Sequence, residues 1–87
     1  MGSPLMVLNF VPASSNKVGV SISKKIGKSV QRNLIKRRIY EQFATFMPRI
    51  NGSYNYVVVA RERIKDATFE EIGSCIDFLL HKLGHIN

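Results

Sequence analysis

The residues with the clearest chemical potential lie in one short segment, residues 23–38, which reads SKKIGKSVQRNLIKRR. Its middle, Gly27-Lys28-Ser29, matches the end of the nucleotide-binding P-loop, in which backbone N–H groups and a lysine surround phosphates. Its flanks are rich in Lys and Arg, the side chains that bind the phosphate backbone of a nucleic acid. The segment therefore raises two possible chemistries, nucleoside triphosphate binding and nucleic-acid binding.

The P-loop pattern is incomplete in this chain. The motif G-x-x-x-x-G-K-[ST] requires a first glycine at position 22, where the sequence has Ile22. A β-branched side chain there would obstruct the wrapping of phosphates by consecutive N–H groups, and no Walker-B-like strand ending in Asp is visible. A strand that runs into a helix N-terminus beside Lys24, Lys25 and Lys28 still suits a phosphate, which can belong to RNA.

The charge of the chain is concentrated in the same region. The 87 residues carry a net charge of +7, and residues 17–38 hold eight of the 13 basic residues and none of the six acidic ones. The remainder of the chain is close to neutral. Such a one-sided basic patch predicts a polyanionic partner, with nucleic acid favoured over an anionic membrane or a merely solvated face.

Hydrophobic periodicity places this segment at the start of a helix. Residues 28–47 contain no Gly or Pro, and Ile35, Ile39, Phe43 and Phe46 fall on one predicted core face. Around the solvent side, Arg can grip phosphate and Asn can bond a ribose hydroxyl or a base edge. The polar side chains predicted to ring the first turns are Arg32, Asn33, Lys36, Arg37 and Arg38.

The rest of the sequence predicts a small α+β domain with the order β-β-α-β-α. Strands are expected at residues 5–12, 17–23 and 54–60, with the first two paired as a hairpin and the third central. Thr68 and Glu71 form a capping box that opens a second helix. The buried stripe predicted for that helix is Phe69, Ile72, Ile76, Leu79 and Leu83, with Gly84 as its stop.

Other potential sites are weak. His81 and His85 are four residues apart, but Gly84 interrupts the helix between them, so a metal site is not expected. Cys75 is the only cysteine and is expected to be a core residue rather than a nucleophile. Tyr54 and Tyr56 could be exposed for base stacking or buried in the core, and the sequence leaves both open. No segment has transmembrane length, and the default compartment is the cytoplasm.

The segment VGVSISKKIGKSVQRNLIKRRIYEQF, residues 18–43, resembles the signature of the bacterial ribonuclease P protein subunit. The later YVVVAR and TFEEI are similar to the last strand and last helix of that family, so the resemblance covers roughly residues 5–83 of a single domain. It implies a two-layer sandwich like ribosomal protein S5 domain 2. It also implies a left-handed β-α-β crossover, against the usual right-handed rule.

The resemblance implies a function as well. A family member joins a large catalytic RNA, and the particle removes the 5′ leader from precursor tRNA. The RNA performs the chemistry with magnesium, the protein carries no cofactor, and the isolated protein is not expected to be catalytic. A basic helix holds the RNA, and a cleft on the sheet contacts the leader. The resemblance gives the RNA-binding role to Ser23, Lys24, Lys25, Lys28, Arg32, Asn33, Lys36 and Arg37, and the charge pattern adds Lys17 and Arg38.

Two departures from the family pattern stand out. Leu34 occupies a position where the family usually has a third basic residue, so one phosphate contact is expected to be lost. Family members also usually begin with a helix and a strand ahead of LMVLNF, and the sequence given lacks them. We therefore expect either reduced stability or self-association that covers the bared part of the sheet. The alternative function is a structural, ribosomal-type RNA-binding protein without a role in tRNA processing.

Overall fold

The computed structural model describes residues 1–87. Three strands and two helices surround one hydrophobic core, and both helices pack on the same face of the sheet. The predicted two-layer α+β architecture and its order β-β-α-β-α are therefore confirmed. The elements are β1 (Met6–Pro12), β2 (Lys17–Ser21), α1 (Ser29–Phe46), β3 (Tyr54–Ala60) and α2 (Phe69–Lys82). Short 3-10 turns lie at Lys24–Ile26, Met47–Arg49 and Glu62–Asp66.

The sheet has the strand order β1-β3-β2, so the predicted hairpin between β1 and β2 is wrong. β3 lies between them, antiparallel to β1 with Met6 opposite Ala60, and parallel to β2 with Lys17 opposite Asn55. The physical reason is that β3 is the most apolar strand and gains most from having partners on both edges. Because β2 and β3 are parallel neighbours, α1 is the crossover between them. Its left-handedness stays a prediction from the resemblance.

The core face of α1 is as predicted. Ile35, Ile39, Phe43 and Phe46 are all buried against the sheet and α2. The helix ends at Phe46 because Pro48 lies in the following 3-10 turn and cannot continue the α-helical hydrogen bonding. No helix in the chain combines the length and the apolar character that a membrane span requires.

The second helix begins as the capping box predicts. The Thr68 hydroxyl accepts from the N–H of Glu71, whose carboxylate in turn accepts from the N–H of Thr68. Most of the predicted stripe is buried, but Phe69 is exposed because it occupies the first turn, outside the packed face. Leu83 is half-buried, and Leu80 takes a core position that the pattern did not include. Gly84, with φ of 75°, provides the left-handed stop.

The C-terminal residues return to the sheet through a buried histidine. His85 is only 5% exposed, and its Nδ1 lies 2.8 Å from the hydroxyl of Tyr56. Its ring stacks on Tyr54 at a centroid distance of 3.9 Å and meets the edge of Phe10 at 4.6 Å. Tyr56 is buried and Tyr54 is half-buried in this cluster, so both tyrosines belong to the core side of the sheet rather than to an exposed stacking surface. The cluster closes the end of the sheet nearest Pro12.

Replacement of Ile39 by Asp should unfold the domain. Ile39 is fully buried, and an ionised carboxylate at that position costs several kcal/mol, comparable with the whole stability of so small a domain. Far-UV circular dichroism and a thermal melt would show the loss. The matched control is Ala44→Asp, which puts the same charge on an exposed position of α1 and should retain a cooperative melt. A native melt for Ile39→Asp would contradict the packing described here.

The two histidines should give the stability opposite dependences on pH. Burial lowers the pKa of His85, so the folded state binds this proton less readily than the unfolded state does. The free energy of unfolding should therefore fall as the pH decreases through about 6.5. The hydrogen bond to the Asp77 carbonyl raises the pKa of the exposed His81, which makes its contribution run the other way.

Urea unfolding at about pH 7.5 and about pH 5, on either side of the ordinary histidine pKa, separates these contributions. In His85→Gln the drop in stability on acidification should shrink, because the titrating group is gone. In His81→Gln the drop should grow, because the opposing contribution is removed. An equal drop in the two variants would show that neither histidine controls the acid sensitivity.

Candidate RNA-binding interface

The turn that leads into α1 holds its lysines on the surface by burying the residue beside them. Ile26 is part of the core, whereas Lys24 and Lys25 are exposed. The hydroxyl of Ser23 accepts a hydrogen bond of 3.2 Å from the N–H of Lys25, which fixes the turn. Ser23 is thus the N-cap of this turn, just beyond the end of β2. The structure gives it a local role, and its predicted contact with RNA stays a prediction.

The N-terminus of α1 has no cap of its own. Its N-cap residue is Lys28, no side chain accepts from the first-turn N–H groups, and the first turn contains no acid. The partial positive charge of the helix end therefore adds to that of the neighbouring lysines. Gly27, in extended backbone, leaves room for the amide of Gln31, which a side chain at position 27 would strike. An anion at this helix end would meet unpaired N–H groups as well as cations.

Arg32 and Lys36 lie one helical turn apart on α1, but their side chains differ in how far they are available to a ligand. Arg32 is half-buried, and its Nη1 donates a hydrogen bond of 3.1 Å to the carbonyl oxygen of Gly27. Arg32 therefore ties the turn to the helix and keeps only its remaining donors for a ligand. Lys36 is exposed and has no acidic partner within ion-pair distance. The sequence alone gave no sign that Arg32 would contact the backbone of its own chain.

The next turn carries the outward-facing polar residues. Asn33 and Arg37 are exposed, and Arg38 is half-buried at the flank of the helix. Arg37 forms an ion pair of 3.6 Å with Glu41, and both side chains are largely exposed, so the pair contributes little to stability. Glu41 is the one acid that pairs with the helix, which leaves the excess positive charge of α1 largely uncompensated.

Lys17 is the one predicted site residue that the fold places elsewhere. It lies at the first position of β2, whereas the lysine-bearing turn follows the last one, so the length of the strand separates them. A strand rises about 3.3 Å per residue, which puts Lys17 more than 10 Å from the turn. The register sets Lys17 beside Asn55 and Val11 on the face of the sheet that no helix covers. The other nine residues belong to the turn and α1.

That uncovered face, the outer sheet face, forms a second surface. Across the strands its rows are Val11–Asn55–Lys17, Asn9–Val57–Gly19 and Val7–Val59–Ser21. Val11, Val57 and Val59 are exposed. A side chain added at Gly19 would have nothing within 4 Å, so the backbone there is open to a ligand. The surface is apolar at Val57 and Val59 and is bordered by amide, hydroxyl and lysine groups.

Tyr40 is a candidate contact that the sequence reasoning missed. It is 38% exposed on α1, one turn beyond Lys36 and Arg37. An exposed aromatic ring beside cations can stack on a nucleic-acid base. The signal was available, because the same helical projection that put Ile39 in the core turns Tyr40 away from it.

The structure brings together no metal or catalytic set. No three His, Cys, Asp or Glu side chains are close enough to hold an ion. His81 pairs with Asp77 at 3.0 Å on the surface of α2, away from His85. Cys75 is half-buried with its Sγ 2.8 Å from the Ser3 hydroxyl, and burial raises the pKa of its thiol, which disfavours the nucleophilic thiolate.

Comparison with solved structures places this architecture among ribonuclease P proteins. The Staphylococcus aureus RNase P protein superimposes with a TM-score of 0.87 at 29% identity, covering 100% of this chain and 82% of that one. The Thermotoga maritima RNase P protein shares the fold, with a TM-score of 0.84 at 22% identity over 94% of this chain and 80% of that one.

Sequence comparison identifies the same group. The ribonuclease P protein component of Clostridium perfringens is 41% identical over 69 residues, which is 79% of this chain and 55% of the relative. That of Caldanaerobacter subterraneus is 43% identical over 67 residues, 77% of this chain and 58% of the relative. The chain thus spans less than two thirds of the length of these relatives. The family Ribonuclease P matches residues 1–84, and the chain belongs to that family.

Proposed function

We propose that this chain is the RNA-binding protein subunit of ribonuclease P, and that it assists a catalytic RNA in removing the 5′ leader from precursor tRNA in the cytoplasm. The observation that carries the proposal is the uncompensated basic surface at the start of α1, set on a fold shared with ribonuclease P proteins. Its members are Ser23, Lys24, Lys25, Lys28, Arg32, Asn33, Lys36, Arg37 and Arg38.

This basic surface is suited to the RNA subunit because it presents its charges on a rigid support. Ile26 and the core face of α1 fix the turn and the helix against the sheet, so the lysines and arginines project from a preorganised frame. Each cation that neutralises a phosphate releases counterions from the RNA, which gives strong but salt-dependent affinity. Asn33 adds a group that can donate to or accept from a ribose hydroxyl or a base edge.

The outer sheet face is suited to the single-stranded leader of precursor tRNA. Measured across its three strands, this face is only about 10–15 Å wide. That width suits an extended single strand of RNA better than it suits a protein partner. A stable protein dimer usually buries about 800 Å² on each partner, which is more than such a narrow face offers. We therefore favour the leader over a second copy of this chain as the occupant. Lys17 and Asn55 would contact its backbone, and Gly19 would allow close approach.

In this proposal the RNA subunit, with magnesium, supplies the hydrolytic chemistry. The protein's contribution is to bind: its basic surface holds the RNA subunit, and its outer sheet face orients the leader. The alternative, a structural protein of ribosomal type, would share the basic surface. It differs in that it would have no effect on the processing of precursor tRNA.

Removing one cation from the basic surface should weaken RNA binding and flatten its salt dependence. For Lys36→Ala, the slope of log K against log salt should decrease by roughly 0.7–0.9, the value for one lost phosphate contact. Fluorescence anisotropy with ribonuclease P RNA at several salt concentrations measures the slope. Lys82→Ala, an exposed lysine on α2, is the matched control and should leave the slope unchanged. The basic surface would be the wrong binding face if the two variants behaved alike.

The full proposal is tested by cleavage of precursor tRNA by a bacterial ribonuclease P RNA at low magnesium, with and without this chain. We expect stimulation with the correct mature 5′ end, and a larger stimulation for a substrate with a long leader than for one with a single-nucleotide leader. RNA binding without stimulation would support the ribosomal-type alternative. Stimulation that does not depend on leader length would reject the proposed role of the outer sheet face. The proposed role of the basic surface would stand.

A further inference from the structure

The outer side of α1 carries an apolar patch inside its basic surface. Val30 is 81% exposed and Leu34 is 39% exposed, and the two lie one turn apart on the helix. Together with Asn33 and Arg37 they line a shallow depression of about 350 Å³. Two aliphatic side chains within the basic surface contribute nothing to the binding of phosphates. Exposed apolar side chains grouped with polar ones are typical of a binding site.

We propose that this depression, the α1 depression, binds one unpaired nucleobase of the RNA partner. The inference rests on the proposed function and adds to it, because it names the place on α1 that receives a base, next to the cations that bind phosphates. A nucleobase has an apolar face and a polar edge, and the depression offers both counterparts. Val30 and Leu34 supply apolar lining, while the Asn33 amide can donate to or accept from a base edge.

Charge complementarity identifies the occupant as a nucleotide rather than an apolar segment of protein. Arg37 lines the depression, and its exposed ion pair with Glu41 is weak enough for the guanidinium to exchange the carboxylate for a phosphate. Arg38 and Lys36 lie on either side of Arg37 in the sequence, without an acidic partner. An unpaired nucleotide brings a phosphate to these cations when its base enters the depression.

The size of the depression is also suitable. A volume of about 350 Å³ corresponds to roughly ten water molecules. That space is large enough for a purine ring, and its four lining residues, all on α1, are too few to hold an amphipathic helix or a strand of a partner protein. RNA recognition commonly uses such splayed-out bases from loops and bulges. The proposed ligand is therefore a single bulged or looped-out nucleotide, recognised chiefly by its base.

The test uses two hairpin RNAs with the same backbone. One carries a single bulged adenosine, and the other carries an abasic nucleotide at the same bulge, so the phosphates are identical and only the base differs. Fluorescence anisotropy gives the affinity of the full chain for each RNA at two salt concentrations. We expect the adenosine RNA to bind about fivefold more tightly or better, which is the lower range for one stacked base.

The variant Val30→Ser with Leu34→Ser should abolish this preference while leaving the salt dependence intact. Both positions are exposed, so the fold should survive, which circular dichroism verifies. Phe78→Ser replaces an exposed apolar residue on α2 and is the matched control, with the preference retained. Lys36→Ala should weaken binding to both RNAs equally and keep their ratio.

Each other outcome would overturn the inference. Equal affinity for the two RNAs, with normal salt dependence, would reject the α1 depression and leave the proposed function standing. If the serine double variant still preferred the adenosine RNA, the base would bind elsewhere on the protein. A dimer in sedimentation that the serine variant dissociates would make a second copy the occupant. Absence of any salt-dependent RNA binding would reject the proposed function together with this inference.

Discussion

The packing of α1 against the sheet is the constraint on which the rest of the structure depends. Ile35, Ile39 and Phe43 bury one side of the helix, and this fixes the direction of every other side chain on it. The basic side could not be presented without that apolar side, because the seven cations of the turn and α1 repel one another and would disfavour a compact chain. Burial of the aliphatic and aromatic residues offsets the repulsion. Binding of a polyanion would then remove the repulsion between the cations.

Much of this arrangement could be predicted from local pattern. The i, i+4 spacing of Ile35 and Ile39 gave the phase of α1, and the Thr68–Glu71 box gave the start of α2, because both signals act within one or two helical turns. The pairing of strands could not be predicted in that way. β1 and β2 are neighbours in sequence and each suits a hairpin, but the choice between that hairpin and insertion of β3 depends on contacts distant in the chain.

In the candidate site, too, the local features could be predicted from the sequence and the tertiary ones could not. Lys24, Lys25 and Lys28 are brought together because they are close in sequence, whereas Lys17 was grouped with them only by its charge and lies on another face. The backbone contact of Arg32 and the burial of His85 against Tyr56 depend on tertiary geometry that no spacing rule describes. The exposed pair Val30 and Leu34 could be read from the helical projection, but only the structure shows the depression that they share with Asn33 and Arg37.

The insertion of β3 between β1 and β2 has a consequence for synthesis on the ribosome. β1 leaves the ribosome well before β3, which ends at Ala60, so the edge of β1 that pairs with β3 stays open for a time on the order of seconds at usual elongation rates. The basic segment emerges within that interval, before the sheet that supports it can close. The nascent chain therefore displays its cations while its strand edges are still open. Early capture of those cations by RNA would protect the chain from aggregation until the last strand arrives.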